Sequence, residues 1–371
     1  MRGATSTVFL SGDVMTGRGI DQILPHPSAP QIFEGYLKDA RGYLELAEQA
    51  SGAIPIPADF GYPWGDALSV WEKMSPDLRI INLETSVTTS EDYWKVKGIN
   101  YRMHPANAPC LTQARIDACS LANNHVLDWG YSGLRETLST LQGAGVKTAG
   151  AGRDQEEASA PARLEVPGKG VVHLFSFGLE TSGIPAVWGA TGTGPGVNLL
   201  PDLSHSTVSR IAAQVKAVKR EGDTAIASLH WGDNWGFDVT RGEIQFAHRL
   251  IEAAGVDIVH GHSSHHVKAI GVHQGRLVLY GCGDFINDYE GIGGFEAYRG
   301  ELGLMYFVKF DAGTGELARL TMVPTRIKKF RLQLASASET VWLRDTLNRE
   351  GERFGTSVQL VPDGTLTLNW Q

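Results

Sequence analysis

Along this chain, short apolar runs stop repeatedly at clusters of polar side chains. STVFLSGD, LRIINLE, DACSLANNH, VVHLFSFG, TAIASLHWGD, VDIVHGH and LVLYGCGDF share that form, and most end on a carboxylate, an amide or an imidazole. Their length and branching predict strands. Between them lie stretches with apolar residues at i, i+3 and i+4 that end at glycine, such as LRETLSTLQGAG and HSTVSRIAAQVKAVKREG, which predict helices. Strands alternating with helices predict an α/β sheet covered on both faces. From about residue 301 the pattern turns to strand and turn in LGLMYFVKFDAGTGELARLTMVP, an antiparallel finish, with WLRDTLNREGERFG as a late helix. Residues 21–66 carry PHPSAP and IPIPADFGYPWGD around a helix-like segment, and they read as an insertion forming a lid or cleft wall.

Composition narrows the function classes. A length of 371 residues suffices for one large core or two domains. The net charge of −8 is spread along the sequence and argues against a nucleic-acid-binding face. Cys110, Cys119 and Cys282 are scattered and include no CxxC pair, so neither a disulfide framework nor a thiolate zinc site is expected. The opening MRGATSTVFLSGD has only a brief apolar run, and no apolar stretch of about 18 residues follows. The expectation is a cytoplasmic chain without a membrane segment.

The side chains that end the apolar runs change the picture most. Asp13, Glu84, Asn124 with His125, His230, the group His260, His262, His265 and His266, and Asp284 each follow a predicted strand. Ligands of open α/β sheets gather at the carboxyl ends of strands. Carboxylate, amide oxygen and imidazole together suit Zn, Mn or Fe, or Mg or Ca where oxygens dominate. The competing explanation is that each residue caps a helix or closes a turn. On the substrate side, Lys95, Lys97 and Arg102 in KVKGINYRMHPAN, and Arg18 after the first run, offer a grip on phosphate or carboxylate, or else form a solvated basic loop. Trp129, Trp231 and Trp235 stand beside the polar ends; core is their ordinary fate, but WGDNWG puts Trp235 near the mouth.

GDVMTGR, NLETSVT, LANNHVLDWG, LHWGDNW, GHSSHH and YGCGDFINDYE, in this order, resemble the CapA family, named for capsule and poly-γ-glutamate biosynthesis. That family is similar to the calcineurin-like metallophosphatases. The resemblance covers about residues 7–310. It implies an α/β fold of four layers, an α/β/β/α sandwich of metallophosphatase type with mixed sheets. Residues 1–310 would form that domain, with 21–66 inserted and 311–371 packed on it as a strand-and-helix extension. Asp13 would be the first carboxylate ligand, Glu84 would occupy the place of a bridging aspartate, and Asn124 would offer its amide oxygen. His230 and two of His262, His265 and His266 would complete the set, with His262 and His265 preferred and His266 left as a proton carrier. His125 would be the general acid or base and Asp128 its orienting partner. Arg18, Lys97, Arg102 and Trp235 would face the substrate.

Two departures bear on the metal. Met15 stands where those phosphatases carry the histidine of Asp-x-His, and GHSSHH replaces the usual Gly-His-x-His. One or two divalent ions are therefore expected, with Mn, Zn, Fe, Mg and Ca all open. The implied function is a metal-dependent enzyme on a peptide-like, peptidyl or glutamyl substrate, acting by hydrolysis or by Cα epimerisation. The alternatives are a metal-dependent phosphoesterase and a non-catalytic subunit that binds an acidic polymer. Members tied to capsule assembly usually begin with a membrane anchor, and none is expected here.

Overall fold

The computed structural model describes residues 5–371; residues 1–4, the start of the opening segment read above, lie outside it. The apolar runs become strands of two mixed sheets. In the larger the order is Thr356–Leu360, Leu366–Trp370, Leu317–Lys328, Leu302–Asp311, Thr5–Val14, Leu78–Leu83, Ala118–Ser120 and Lys147–Ala149. The last four are parallel, and Leu302–Asp311 joins Thr5–Val14 antiparallel. The smaller sheet runs Ile270–His273, Arg276–Leu279, Ile258–His262, Thr224–His230, Gly170–Gly178 and Ala162–Val166. Its four central strands are parallel.

Alternation along the strands sorts side chains into three apolar clusters. Val8, Leu10 and Ile80 of the larger sheet meet Leu174, Ile226 and Ile258 of the smaller one. Phe9 and Ile81 point the other way, onto Tyr43, Trp71 and Leu134 of the helices Arg41–Ser51, Ala67–Met74 and Gly130–Gly143. Phe175, Ala227 and Val259 meet Ile211 and Phe246 of the helices His205–Val218 and Arg241–Glu252. The helices start where their sequences permit. Ser204 Oγ accepts from Thr207 N, and Thr240 with Glu243 forms a capping box.

Three expectations are redrawn. Residues 21–66 do not stand apart as a lid, because Ile32, Tyr43, Ile54 and Trp64 share the cluster of Phe9. A boundary at 310 would cut a hairpin, since Leu302–Asp311 pairs along its length with Leu317–Lys328. LVLYGCGDF is two strands rather than one: Arg276–Leu279 stays in the smaller sheet, whereas Asp284–Ile286 pairs with Thr5–Val14 in the larger. The crossing demands glycine. A Cβ at Gly12 would lie 1.6 Å from the Gly283 oxygen, which instead accepts from Asp13 N at 3.0 Å.

Candidate metal centre at the strand ends

Strand register assembles the centre. His230 and His262 are paired positions on neighbouring parallel strands. Asp13 is paired with Asn82 on one side and Asp284 on the other. Asp13 thereby belongs to two buried triads, one with His230 and His262 and one with His265 and Asp284. In each triad the ligand atoms lie within 4.8 Å of one another. Glu84, just past its strand, sets Oε1 3.8 Å from His125 Nε2 and 3.9 Å from His230 Nε2. Asn82 Nδ2 donates to Asp13 Oδ1 at 2.7 Å and to Glu84 Oε2 at 3.2 Å, holding the two carboxylates side by side.

Electrostatics favour a cation here. Burial, then the charge of Asp284, pushes Asp13 up to about 7. Burial and the charges of Asp13 and Asp284 push Glu84 well above the usual carboxylate range. Burial holds His230 and His262 well below the ordinary imidazole value. His265 goes the other way, because Asp284 and Asp13 outweigh the downward pull of burial. Carboxylates crowded into a buried space and neutral imidazoles beside them are what a divalent ion relieves.

A chain of hydrogen bonds sets the tautomers. His260 Nε2 lies 2.7 Å from the Ser11 carbonyl, which only accepts, so Nε2 carries the hydrogen and Nδ1 does not. Ser228 Oγ, 3.1 Å from that Nδ1, must donate to it. The same oxygen then accepts from His262 Nε2 at 2.8 Å, which leaves His262 Nδ1 as a lone pair. Asn124 Oδ1, 3.1 Å from His230 Nε2, places the hydrogen of His230 on Nε2. The two Nδ1 atoms are 2.8 Å apart, and His262 Nδ1 is 3.9 Å from Asp13 Oδ1. Facing lone pairs beside a carboxylate repel unless a proton or a cation joins them. The donor set therefore fits a metal ion.

His125 sits beside this centre. Its Nδ1 is 2.6 Å from Asp128 Oδ2, which also accepts from Tyr101 N at 2.6 Å. Lys97 Nζ donates to the other Asp128 oxygen and lies 2.8 Å from the same Nδ1. With Nδ1–H given to Asp128, Nε2 is free and directed at Glu84. Burial holds His125 down to about 4 although Asp128 pulls it up. Asn123 fastens the loop: its Oδ1 accepts from His125 N at 3.1 Å and its Nδ2 donates to Leu83 O at 2.8 Å.

Over residues 7–289 the sequence matches the family described as bacterial capsule synthesis protein PGA_cap. The chain belongs to the PGA_cap family. A probable polyglutamine synthesis accessory protein of Mycobacterium tuberculosis is 49% identical over 363 residues, 98% of this chain and 95% of that one. The PGA biosynthesis protein CapA of Bacillus subtilis is 24% identical, covering 96% of this chain and 80% of that one. The capsule biosynthesis protein CapA of Bacillus anthracis is 23% identical, covering 87% and 68%.

In this PGA_cap chain the residues expected from sequence divide into two sets. Asp13, Glu84, Asn124, His230, His262, His265, His125 and Asp128 come together as described. His266 does not join them: its Nδ1 is 3.0 Å from the Val267 carbonyl and its Nε2 accepts from Gly236 N, so neither nitrogen is free to carry a proton. Arg18 is buried and committed to Asp288, Glu34 and Tyr43. Arg102 donates to the carbonyls of Ser90 and Ala29 and lies 3.8 Å over the Trp129 ring. Lys97 belongs to Asp128. Arg18, Lys97 and Arg102 are thus each committed within the protein, whereas Lys95 is exposed. Trp235 does line a cavity that His265 also lines, whereas Trp231 is buried and donates to Tyr280 O. The PGA_cap sequence offers Asp284 as one strand-end donor among several but no partner for it, and Ser228 and Asn82 are hidden inside strand patterns. Among the described residues no helix is long and apolar enough to cross a membrane.

Proposed function

We propose that this PGA_cap protein is a metal-dependent enzyme acting on a peptide-like, peptidyl or glutamyl substrate by hydrolysis or Cα epimerisation. The observation that carries the reading is His125, held by Asp128 with its free Nε2 directed at the centre. The layering of helices and sheets supports the four-layer metallophosphatase-type sandwich in which such a centre would lie. Asp13, His230 and His262 would hold one divalent ion, and Asp13, His265 and Asp284 a second. A bound cation would polarise a carbonyl, carboxylate or phosphoryl oxygen. The neutral imidazole of His125 takes a proton at Nε2, either from an attacking water, passing it on to the leaving group, or from Cα, in which case inversion requires a second acid to deliver a proton to the opposite face. Asp128 keeps the hydrogen on Nδ1 and stabilises the imidazolium that forms.

A second reading has its own support. The Mycobacterium tuberculosis relative is named an accessory protein, which suits a subunit that binds rather than turns over. One experiment separates the two. Protein purified without added metal is assayed for metal content and then for turnover of peptide and γ-glutamyl substrates, with deuterium uptake at Cα read alongside. Turnover lost in His125→Ala with metal retained supports the enzyme, and no turnover of any of these substrates by the metal-loaded wild type supports the accessory role.

A further inference from the structure

Beside the centre lies a cavity of about 470 Å³, within the usual range of small-molecule pockets. His265 belongs both to its wall and to the second triad. The rest of its wall combines an aromatic and apolar face, with Trp235, Tyr289, Ile292 and Phe295, and a charged one that includes Glu290, Glu296, Glu301 and Glu339. Trp235 and Phe295 stack with centroids 4.2 Å apart and planes 4° apart, and Trp235 is 5.4 Å from the His265 ring. Phe295 is 46% exposed and Ile292 43%, two large apolar side chains on a glycine-rich turn with no core to fill.

The charges around this cavity are mostly spent within the protein. Arg326 is 3.2 Å from Glu339, and Arg299 bonds to Glu301. Arg18 is neutralised by Glu34 and Asp288. Of the three cations on the wall, Arg18, Arg326 and Lys328, only Lys328 has no ion-pair partner among the described residues. A polyanion held along its length needs several free guanidinium or ammonium groups, and one ammonium meets a single carboxylate.

We propose that this cavity receives an apolar or aromatic side chain of the substrate, next to the bond or carbon that reacts, and discriminates against a run of glutamates. The proposal rests on the peptide-like reading of the centre and names the residue class that the centre takes. A larger cavity of about 700 Å³, lined by Val70, Pro324 and Leu360, shares no residue with the centre and plays no part.

The test is calorimetric binding to the full chain, once loaded with Mn and once stripped with EDTA. The probes are acetyl-Ala-Phe-Ala-amide, the same peptide with Glu in place of Phe, and a γ-linked glutamate hexamer. The phenylalanine peptide should bind about tenfold tighter than either of the others, the scale of one aromatic contact with its burial. Phe295→Ala should remove that preference. Ile292→Glu, a second exposed position, should weaken the phenylalanine peptide and leave the glutamate peptide no better. Equal affinities, tighter binding of the hexamer, or no binding of any peptide would each overturn the proposal. A phenylalanine preference with no turnover in the Mn-loaded protein would leave the cavity assignment standing and remove the enzyme reading. Metal-dependent turnover of the hexamer with no phenylalanine preference would do the reverse.

Discussion

Ser228 holds His262 through a 2.8 Å contact between Oγ and Nε2, and this fixes which ring nitrogen faces Asp13. The hydroxyl is itself oriented by His260 and so, at one remove, by the Ser11 carbonyl. Partners of this kind typically matter about 10–100-fold in metal affinity. Ser228→Ala should therefore lower cation affinity by about that factor while circular dichroism and the unfolding midpoint stay near wild type. Unchanged affinity in a chelator competition would sink the tautomer assignment.

Asp284 belongs to the second triad alone, whereas Asp13 belongs to both. Asp284→Asn should remove one of two equivalents of bound Mn, read by elemental analysis after dialysis, and leave the equivalent at Asp13, His230 and His262. If both equivalents persist, Asp284 is no ligand.

His125→Ala should lower turnover by about 10²–10⁴-fold, the range of a positioned proton-transfer group, with metal content intact. Asp128→Asn should act in the same direction and shift the pH–rate profile, because the imidazolium loses its counter-charge. A turnover loss that merely tracks metal loss would place both residues in metal binding instead.

Cation affinity should depend on pH with a definite sign. In the metal-free fold Asp13 is raised to about 7, so below that pH a proton occupies a carboxylate that the cation needs. Affinity should fall as pH drops from about 7 and level off above it. Titration with Mn at several pH values measures this, and affinity that rises on acidification would contradict the arrangement.

Arg18→Met should destabilise the fold by about 3–5 kcal/mol, because it leaves Asp288 and Glu34 buried without their guanidinium. Denaturant midpoints check this. Near-normal stability with weakened peptide binding would return Arg18 to the substrate side.

Much of the fold was legible from period and punctuation. The branched apolar run in STVFLSGD predicted a strand of a sheet covered on both faces, and Val8 and Phe9 do enter different clusters. The apolar spacing in HSTVSRIAAQVKAVKREG predicted a helix, and His205–Val218 is one. LVLYGCGDF was misread as one strand because a run of apolar residues carries no mark of which sheet each half will join. The cations Arg18, Lys97 and Arg102 were read as a grip on substrate because a sequence shows a charge and not its partner.

What the sequence determined by itself was the supply of chemistry: donors at the ends of strands, since register within a parallel sheet brings successive strand ends to one edge. The tertiary structure decided the connections. Asp284 reaches Asp13 only because the chain changes sheets at Gly281–Gly283, and Gly12 leaves room for that crossing. His266 is turned onto backbone while His265, its neighbour, faces the carboxylates. These are outcomes of long-range packing, in which each side chain's partner is set by a segment up to hundreds of residues away.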